Sequence, residues 1–156
     1  YQFPEKLIPK MISNIFNNKE LPIYAKGQNS REWIHVDEHC QALFMLYLKG
    51  KSGESYNVGT GNNLKNIDLV KKILKIFKKQ KIDIGNKSKI IFVKDRPGHD
   101  FRYALNSKKI LKNFRWKSKI NFEEGLKKTI LWYLKNEYFL KGISKKKYEK
   151  RIGLKI

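Results

Sequence analysis

Ile90-Ile91-Phe92-Val93-Lys94-Asp95-Arg96-Pro97-Gly98-His99-Asp100 is a run of β-formers that breaks into a rigid, cation-bearing turn. The branched and aromatic residues at 90–93 predict a buried strand. Pro97 fixes its φ and Gly98 tolerates φ > 0, so the chain reverses there and Arg96 and His99 can point at one spot. That spot suits an anion, because arginine offers a planar fork matched to phosphate oxygens and histidine adds a further donor. Asp95 adjoins these groups, and Arg102 and Tyr103 follow as weaker candidates.

Outward from this segment, strand and helix signals alternate. Pro9 suits a first helical turn, and Met11, Ile12, Ile15 and Phe16 form an apolar face ending near Asn17-Asn18. Leu21 to Tyr24 predicts a short extended piece, 26–29 a turn, and Glu32 to Val36 a strand. Asp37 is expected to cap a helix in which Ala42, Leu43, Leu46 and Tyr47 recur at helical spacing until Gly50 and Gly53. Ser55 to Val58 predicts another strand. Asn66 is the N-cap candidate for Ile67 to Lys79, with Leu69, Val70, Ile73, Leu74 and Phe77 on one face. Ser107 opens a short helix, and Asn121 with Glu124 resembles a capping box for Phe122 to Phe139. The pattern is α/β: a small mixed sheet with flanking helices.

The chain has 156 residues, 40% of them hydrophobic, enough for about one domain with its own core. No apolar run approaches the roughly 18 residues that span a bilayer, and the first residues lack a signal-peptide pattern. The single cysteine, Cys40, excludes an internal disulfide and a multi-cysteine metal site and reads as a small buried hydrophobe. A cytoplasmic protein is expected. The net charge of +21 invites a nucleic-acid reading. However, only five of the 35 basic residues are arginine, the lysines are spread over nearly every segment, and no nucleic-acid-binding motif accompanies them. The Lys145 to Arg151 run reads as a solvated tail.

Ser55 to Leu64 imitates a dinucleotide fingerprint through Gly59-Thr60-Gly61. Leu64 stands where the third glycine should be, so these glycines read as a strand-to-helix turn. Tyr47 and Lys51 have the spacing of a catalytic Tyr/Lys pair, but with eight tyrosines and 30 lysines that spacing arises by chance, and Tyr47 is expected on the apolar side of its helix. His35, Asp37, Glu38 and His39 are metal-ligand types, yet Asp37 is committed to capping and the two histidines fall in different elements, so no metal is expected. No nucleophile elbow or Cys/His pairing is evident. The chain carries binding groups without an obvious reacting group.

Five segments together resemble the C-terminal half of the dTDP-glucose 4,6-dehydratases, extended short-chain dehydrogenases/reductases. They are Tyr1-Gln2-Phe3-Pro4-Glu5-Lys6-Leu7-Ile8-Pro9, Leu21-Pro22-Ile23-Tyr24, Arg31-Glu32-Trp33-Ile34-His35-Val36-Asp37-Glu38-His39, Tyr56-Asn57-Val58-Gly59 and Lys94 to Asp100. The resemblance covers residues 1–139, a nucleotide-sugar-binding domain, and leaves 140–156 as a basic tail. The first and last segments are specific to this family, whereas the arginine-tryptophan and Tyr-Asn-x-Gly segments are shared with other nucleotide-sugar epimerases, dehydratases and decarboxylases. Tyr24-Ala25-Lys26-Gly27 departs from the family's usual Tyr-Gly-Asp-Gly.

The resemblance implies a lyase, a hydro-lyase converting dTDP-glucose to dTDP-4-keto-6-deoxyglucose, built from an N-terminal Rossmann half that holds NAD and a C-terminal part that closes over the sugar nucleotide. It implies that Lys6 and Leu7 lie along the substrate and that Pro22, Ile23 and Tyr24 surround the thymine. It further implies that Arg31 and Arg96 clamp the diphosphate, with Asn66, Asp95, Pro97, Gly98 and His99 around it. The catalytic Tyr/Lys pair and the NAD fingerprint of the family precede the segment matching Tyr1. This chain is therefore expected to carry no catalytic or cofactor-binding residue, to be inactive alone, and to need the Rossmann half, in a whole enzyme that is a homodimer.

Overall fold

The computed structural model describes residues 2–141, which form six helices and four short strands. Helix α1 (Leu7–Phe16) starts at Lys6 and carries Pro9 in its first turn, where a missing N–H costs nothing. A turn at 17–20 then reverses the chain into strand β1 (Leu21–Tyr24). After β2 (Ser30–Glu32), α2 (Val36–Lys49) and β3 (Asn63–Lys65) comes α3 (Asn66–Lys79). Strand β4 (Ile90–Val93), α4 (Lys108–Phe114), α5 (Phe122–Lys135) and α6 (Glu137–Lys141) complete the order.

The strands form two separate pairs. β1 and β4 run parallel in the register Leu21↔Ile90 to Tyr24↔Val93, with α3 in the crossover between them. β2 and β3 run antiparallel, Ser30 opposite Lys65 and Glu32 opposite Asn63.

One core unites α1, β1, α3 and α5. The apolar stripe of α3, Leu69, Val70, Ile73 and Phe77, is completely buried against Met11, Ile12 and Ile15 of α1, Leu21 and Ile23 of β1, and Leu126, Ile130 and Tyr133 of α5. Each such side chain contributes about 1.5–3 kcal/mol on leaving water, so these sequence-legible stripes are what hold the fold. Gly27 sits where this packing is tightest. It has φ +69°, and a Cβ there would lie 2.9 Å from both Ile23 Cγ2 and Ile67 Cβ. Gly27→Ala is therefore expected to cost about 2 kcal/mol or more, read as a lower urea midpoint at unchanged m-value.

Several sequence expectations need correcting. The strand expected at Glu32–Val36 ends at Glu32, because pairing with β3 stops at Asn63. Helix α2 is capped by His35, whose Nδ1 accepts from Asp37 N at 3.4 Å, and not by the Asp37 side chain, which is largely exposed. No strand forms at Ser55–Val58, where no partner strand lies alongside among the described residues. Asn66 is the first residue of α3, and Lys65 is its N-cap. Phe92 is 59% exposed, so β4 is covered on one face only. Asn121 does cap α5, accepting from Glu123 N at 2.9 Å, but Glu124 pairs with Lys128 at 2.8 Å and no reciprocal box forms. That helix ends at Lys135, and Leu140, assigned to the tail by sequence, is buried. Cys40 and Tyr47 are exposed. The basic run at 145–151 lies outside the described residues.

Candidate functional site

Because β1 and β4 are parallel and in register, both end at the same level, and Ala25 N donates to Val93 O at 2.8 Å just beyond them. The turn carrying Asp95 to His99 leaves from this end. His99 Nδ1 lies 2.7 Å from Asp95 Oδ1, which also accepts from Arg96 N at 2.9 Å. The His99 side chain is only 6% exposed, and the Tyr24 ring meets it edge-on at 5.6 Å. With Asp95 ionised, Nδ1 carries the proton and Nε2 is left for another partner. Gly98 has φ +64° and open space around it, so the reversal rests on its backbone freedom.

The His99 hydrogen bond, assisted by Arg96 N and the nearby positive groups and opposed by desolvation, holds the Asp95 carboxyl below its ordinary value of 3.8. His99→Ala is expected to return that titration upward toward 3.8, followed by carboxyl-carbon NMR. An unchanged Asp95 midpoint would show that His99 is not its partner.

A second strip continues the site. Ser30 N donates to Phe101 O at 2.8 Å, Tyr103 N donates to Ser30 O at 3.1 Å, and the Asn29 amide donates to Asp100 O at 3.3 Å. Residues 100–103 thus lie along β2 and bring the Arg96–His99 turn to the strand that carries Arg31. Arg31 is half-buried, and its Nη1 donates to Ser30 O at 2.7 Å, whereas Arg96 is exposed.

The other sequence-chosen residues are placed unevenly. Lys6 Nζ pairs with Glu5 at 2.9 Å beside half-buried Leu7. Pro22 is half-buried, and the Ile23 side chain belongs to the core. Asn66 is buried and its Oδ1 has no partner. The start of α3 is not an open anion cradle, since Asn66 N and Ile67 N donate to Asn29 O and Gly27 O at 2.9 and 3.1 Å.

Two glutamates organise this region, Glu32, which the sequence did not single out, and Glu38, which it weighed only as a metal-ligand type. Glu32 Oε1 accepts from Thr60 N at 2.5 Å and Gly61 N at 2.7 Å, and Oε2 accepts from Leu105 N at 2.9 Å. Glu38, 5% exposed, accepts from Ser118 Oγ at 2.5 Å, Ile120 N at 2.9 Å and Lys119 N. Nothing in their local sequence marks them, because the partners are distant in the chain. Glu32 also bears on whether the Gly59-Thr60-Gly61 loop could cradle a cofactor phosphate. A carboxylate occupies the amides of the Gly59-Thr60-Gly61 loop, where a dinucleotide phosphate would have to sit, so these residues do not fit NAD.

A separate small cavity of ≈ 50 Å³ lies among Ile8, Trp33, His35, Asn62, Asn121 and Leu126. Trp33 Nε1 is buried in this region without a partner. None of the sequence-chosen binding residues lines it.

The pairing of a Tyr24-bearing strand with an Asp95/Arg96/His99 turn coincides with a family-level match. The family model described as GDP-mannose 4,6 dehydratase matches residues 1–129. The chain belongs to that family. It is 42% identical over 153 residues to dTDP-glucose 4,6-dehydratase 1 of Escherichia coli, covering 96% of this chain and 42% of the relative. Among solved structures, dTDP-glucose 4,6-dehydratase from Bacillus anthracis in complex with NAD superposes with a TM-score of 0.82 at 42% identity, over 92% of this chain and 44% of that one. The Streptomyces venezuelae dTDP-glucose 4,6-dehydratase, solved with NAD and TYD bound, gives 0.81 at 36% identity over 89% and 41%. The chain thus spans less than half the length of the curated relatives it matches. The mixed α/β fold is accordingly part of a larger GDP-mannose 4,6 dehydratase-family architecture. Among the described residues no helix is long and apolar enough to cross a membrane.

Proposed function

We propose that this chain is the sugar-nucleotide-gripping part of a dTDP-glucose 4,6-dehydratase. The whole enzyme converts dTDP-glucose to dTDP-4-keto-6-deoxyglucose and water with NAD. The observation that carries the reading is the convergence of Tyr24, Asp95 and His99 at the common end of β1 and β4, beside the strand of Arg31. Tyr24 offers a ring face to thymine, with Pro22 beside it and Ile23 packing the strand from the core. Asp95 fixes the His99 ring so that Nε2 can meet a phosphate oxygen, and Arg96 and Arg31 supply the charge. Arg31 must leave Ser30 O to do so. Asn66 lies buried behind the site, while Lys6 and Leu7 border the sugar.

In this reading the hydride transfer and acid/base chemistry belong to the Rossmann half, and the chain alone neither turns over dTDP-glucose nor holds NAD. We place the whole enzyme in the cytoplasm as a homodimer, and its partners do not include nucleic acid. Calorimetric titration of the chain with dTDP, UDP and dTDP-glucose tests the reading. Binding of dTDP on the order of tenfold tighter than UDP, about 1.4 kcal/mol, is expected. Equal or stronger UDP binding would favour a sibling nucleotide-sugar enzyme. Absence of binding by any sugar nucleotide would end the proposal.

A further inference from the structure

The Asp95 carboxylate commits one edge of the His99 ring. Its Oδ1 lies 2.7 Å from Nδ1 and also accepts from Arg96 N at 2.9 Å, so Nδ1 must be a donor. Among the described residues no hydrogen bond reaches Nε2, nor is it one of the buried polar atoms that lack a partner. Nε2 therefore opens to solvent from a side chain that is otherwise almost wholly enclosed. In the neutral ring this outer nitrogen bears a lone pair. A lone pair repels an anionic oxygen, whereas an N–H attracts it.

The surroundings leave the ring as the group that changes. From β1, Tyr24 meets it edge-on at 5.6 Å, and on its own turn it faces Asp95, with Arg96 beside that carboxylate and Asp100 next in the chain. Asp95 is held below its ordinary value of 3.8, so near neutral pH it stays ionised and does not take up the proton itself. A ring between the Asp95 carboxylate and a phosphate oxygen can donate to both only as imidazolium.

We infer that the site takes its diphosphate ligand together with one proton, which lodges on Nε2 of His99, so that the grip on a sugar nucleotide tightens as pH falls and slackens as it rises. The inference deepens the proposed function and rests on it for the identity of the ligand. The proton comes from solvent and forms the Nε2–H bond, and no bond of the ligand breaks. The bound imidazolium makes two charge-assisted hydrogen bonds where the free ring makes one. Linkage then requires reciprocity: protonation raises affinity by the factor by which the ligand raises the ring's hold on its proton.

The probe is dTDP-glucose, because each of its phosphates carries one fixed charge near neutrality, whereas the terminal phosphate of dTDP titrates there itself. Calorimetric titration of the chain at pH 8 in Hepes and in Tris, buffers with different heats of ionisation, reads proton uptake as the difference in heat. Uptake of between about half a proton and one proton per ligand is expected, with a Kd about tenfold or more weaker at pH 8 than at pH 5.5. Thymidine, which lacks phosphate, should show neither effect. His99→Gln keeps an amide donor that has no proton to gain, and should bind dTDP-glucose without uptake and without that pH dependence. In the parent chain, the ¹⁵N shift of Nε2 at pH 8 should move to the protonated position when dTDP-glucose is added. Equal heats in the two buffers with binding intact, uptake that survives in His99→Gln, or an Nε2 that stays unprotonated in the complex would each overturn the inference and leave the functional reading standing. Absence of dTDP-glucose binding at both pH values would end both.

Discussion

Arg96→Ala is expected to weaken dTDP binding by roughly 10- to 150-fold, equivalent to about 1.5–3 kcal/mol, the usual worth of a charged hydrogen bond. The side chain is exposed and outside the core, so thermal stability should stay close to that of the parent chain. The loss should be equal for dTDP and dTDP-glucose, which share the diphosphate, and nearly absent for thymidine. Calorimetry on the three ligands reads this pattern directly. Arg31→Ala should show the same ligand pattern with a smaller loss, since Arg31 must first give up its bond to Ser30 O. Equal weakening of thymidine would place Arg96 at the base and would contradict the assignment.

Glu38→Ala is expected to lower unfolding stability by about 2–4 kcal/mol, because it strands one hydroxyl and two backbone N–H groups that the carboxylate now accepts from. The effect is pH-dependent, with a definite sign. Burial alone would raise this carboxyl, but the bonds from Ser118, Lys119 and Ile120, with His35 nearby, bring it below its ordinary value of 4.5. The native state therefore favours the ionised form. Its stabilisation is fully present above the unfolded glutamate value and is lost as pH falls through the lower folded value. Denaturant melts at neutral and acid pH should show the gap between parent and Glu38→Ala narrowing on acidification. A gap that is constant with pH would mean that the residue acts by packing and not by charge.

Helical stripes were legible in the sequence because periodicity reports burial when a helix packs on its own chain. Leu69, Val70, Ile73 and Phe77 are the clear case, and Met11, Ile12 and Ile15 follow the same rule. The rule misplaces α2 for a physical reason: its stripe is real, but nothing among the described residues covers Leu43 or Tyr47. Ser55–Val58 shows the same thing for strands, since β propensity measures fitness for a ladder and cannot supply the neighbour. Caps were harder to read. His35 takes the role given to Asp37, because the first helical turn begins two residues earlier and either side chain can accept there.

The Asp95–His99 turn was legible as a turn, from Pro97 and Gly98, but its internal hydrogen bond was not. Nor was the role of Glu32, whose three amide partners come from residues 60, 61 and 105. Glycines 59 and 61 looked half like a cofactor loop, and only the position of Glu32 shows that the loop's amides are already occupied.

Amide shift mapping of the ¹⁵N-labelled chain during titration with dTDP addresses the grip itself. The largest shifts should fall at Ile23 and Tyr24, at Arg31, and across Asp95 to His99. Shifts centred on Trp33 and His35, or spread evenly over the lysine-rich surface, would contradict a sugar-nucleotide site at the common end of β1 and β4.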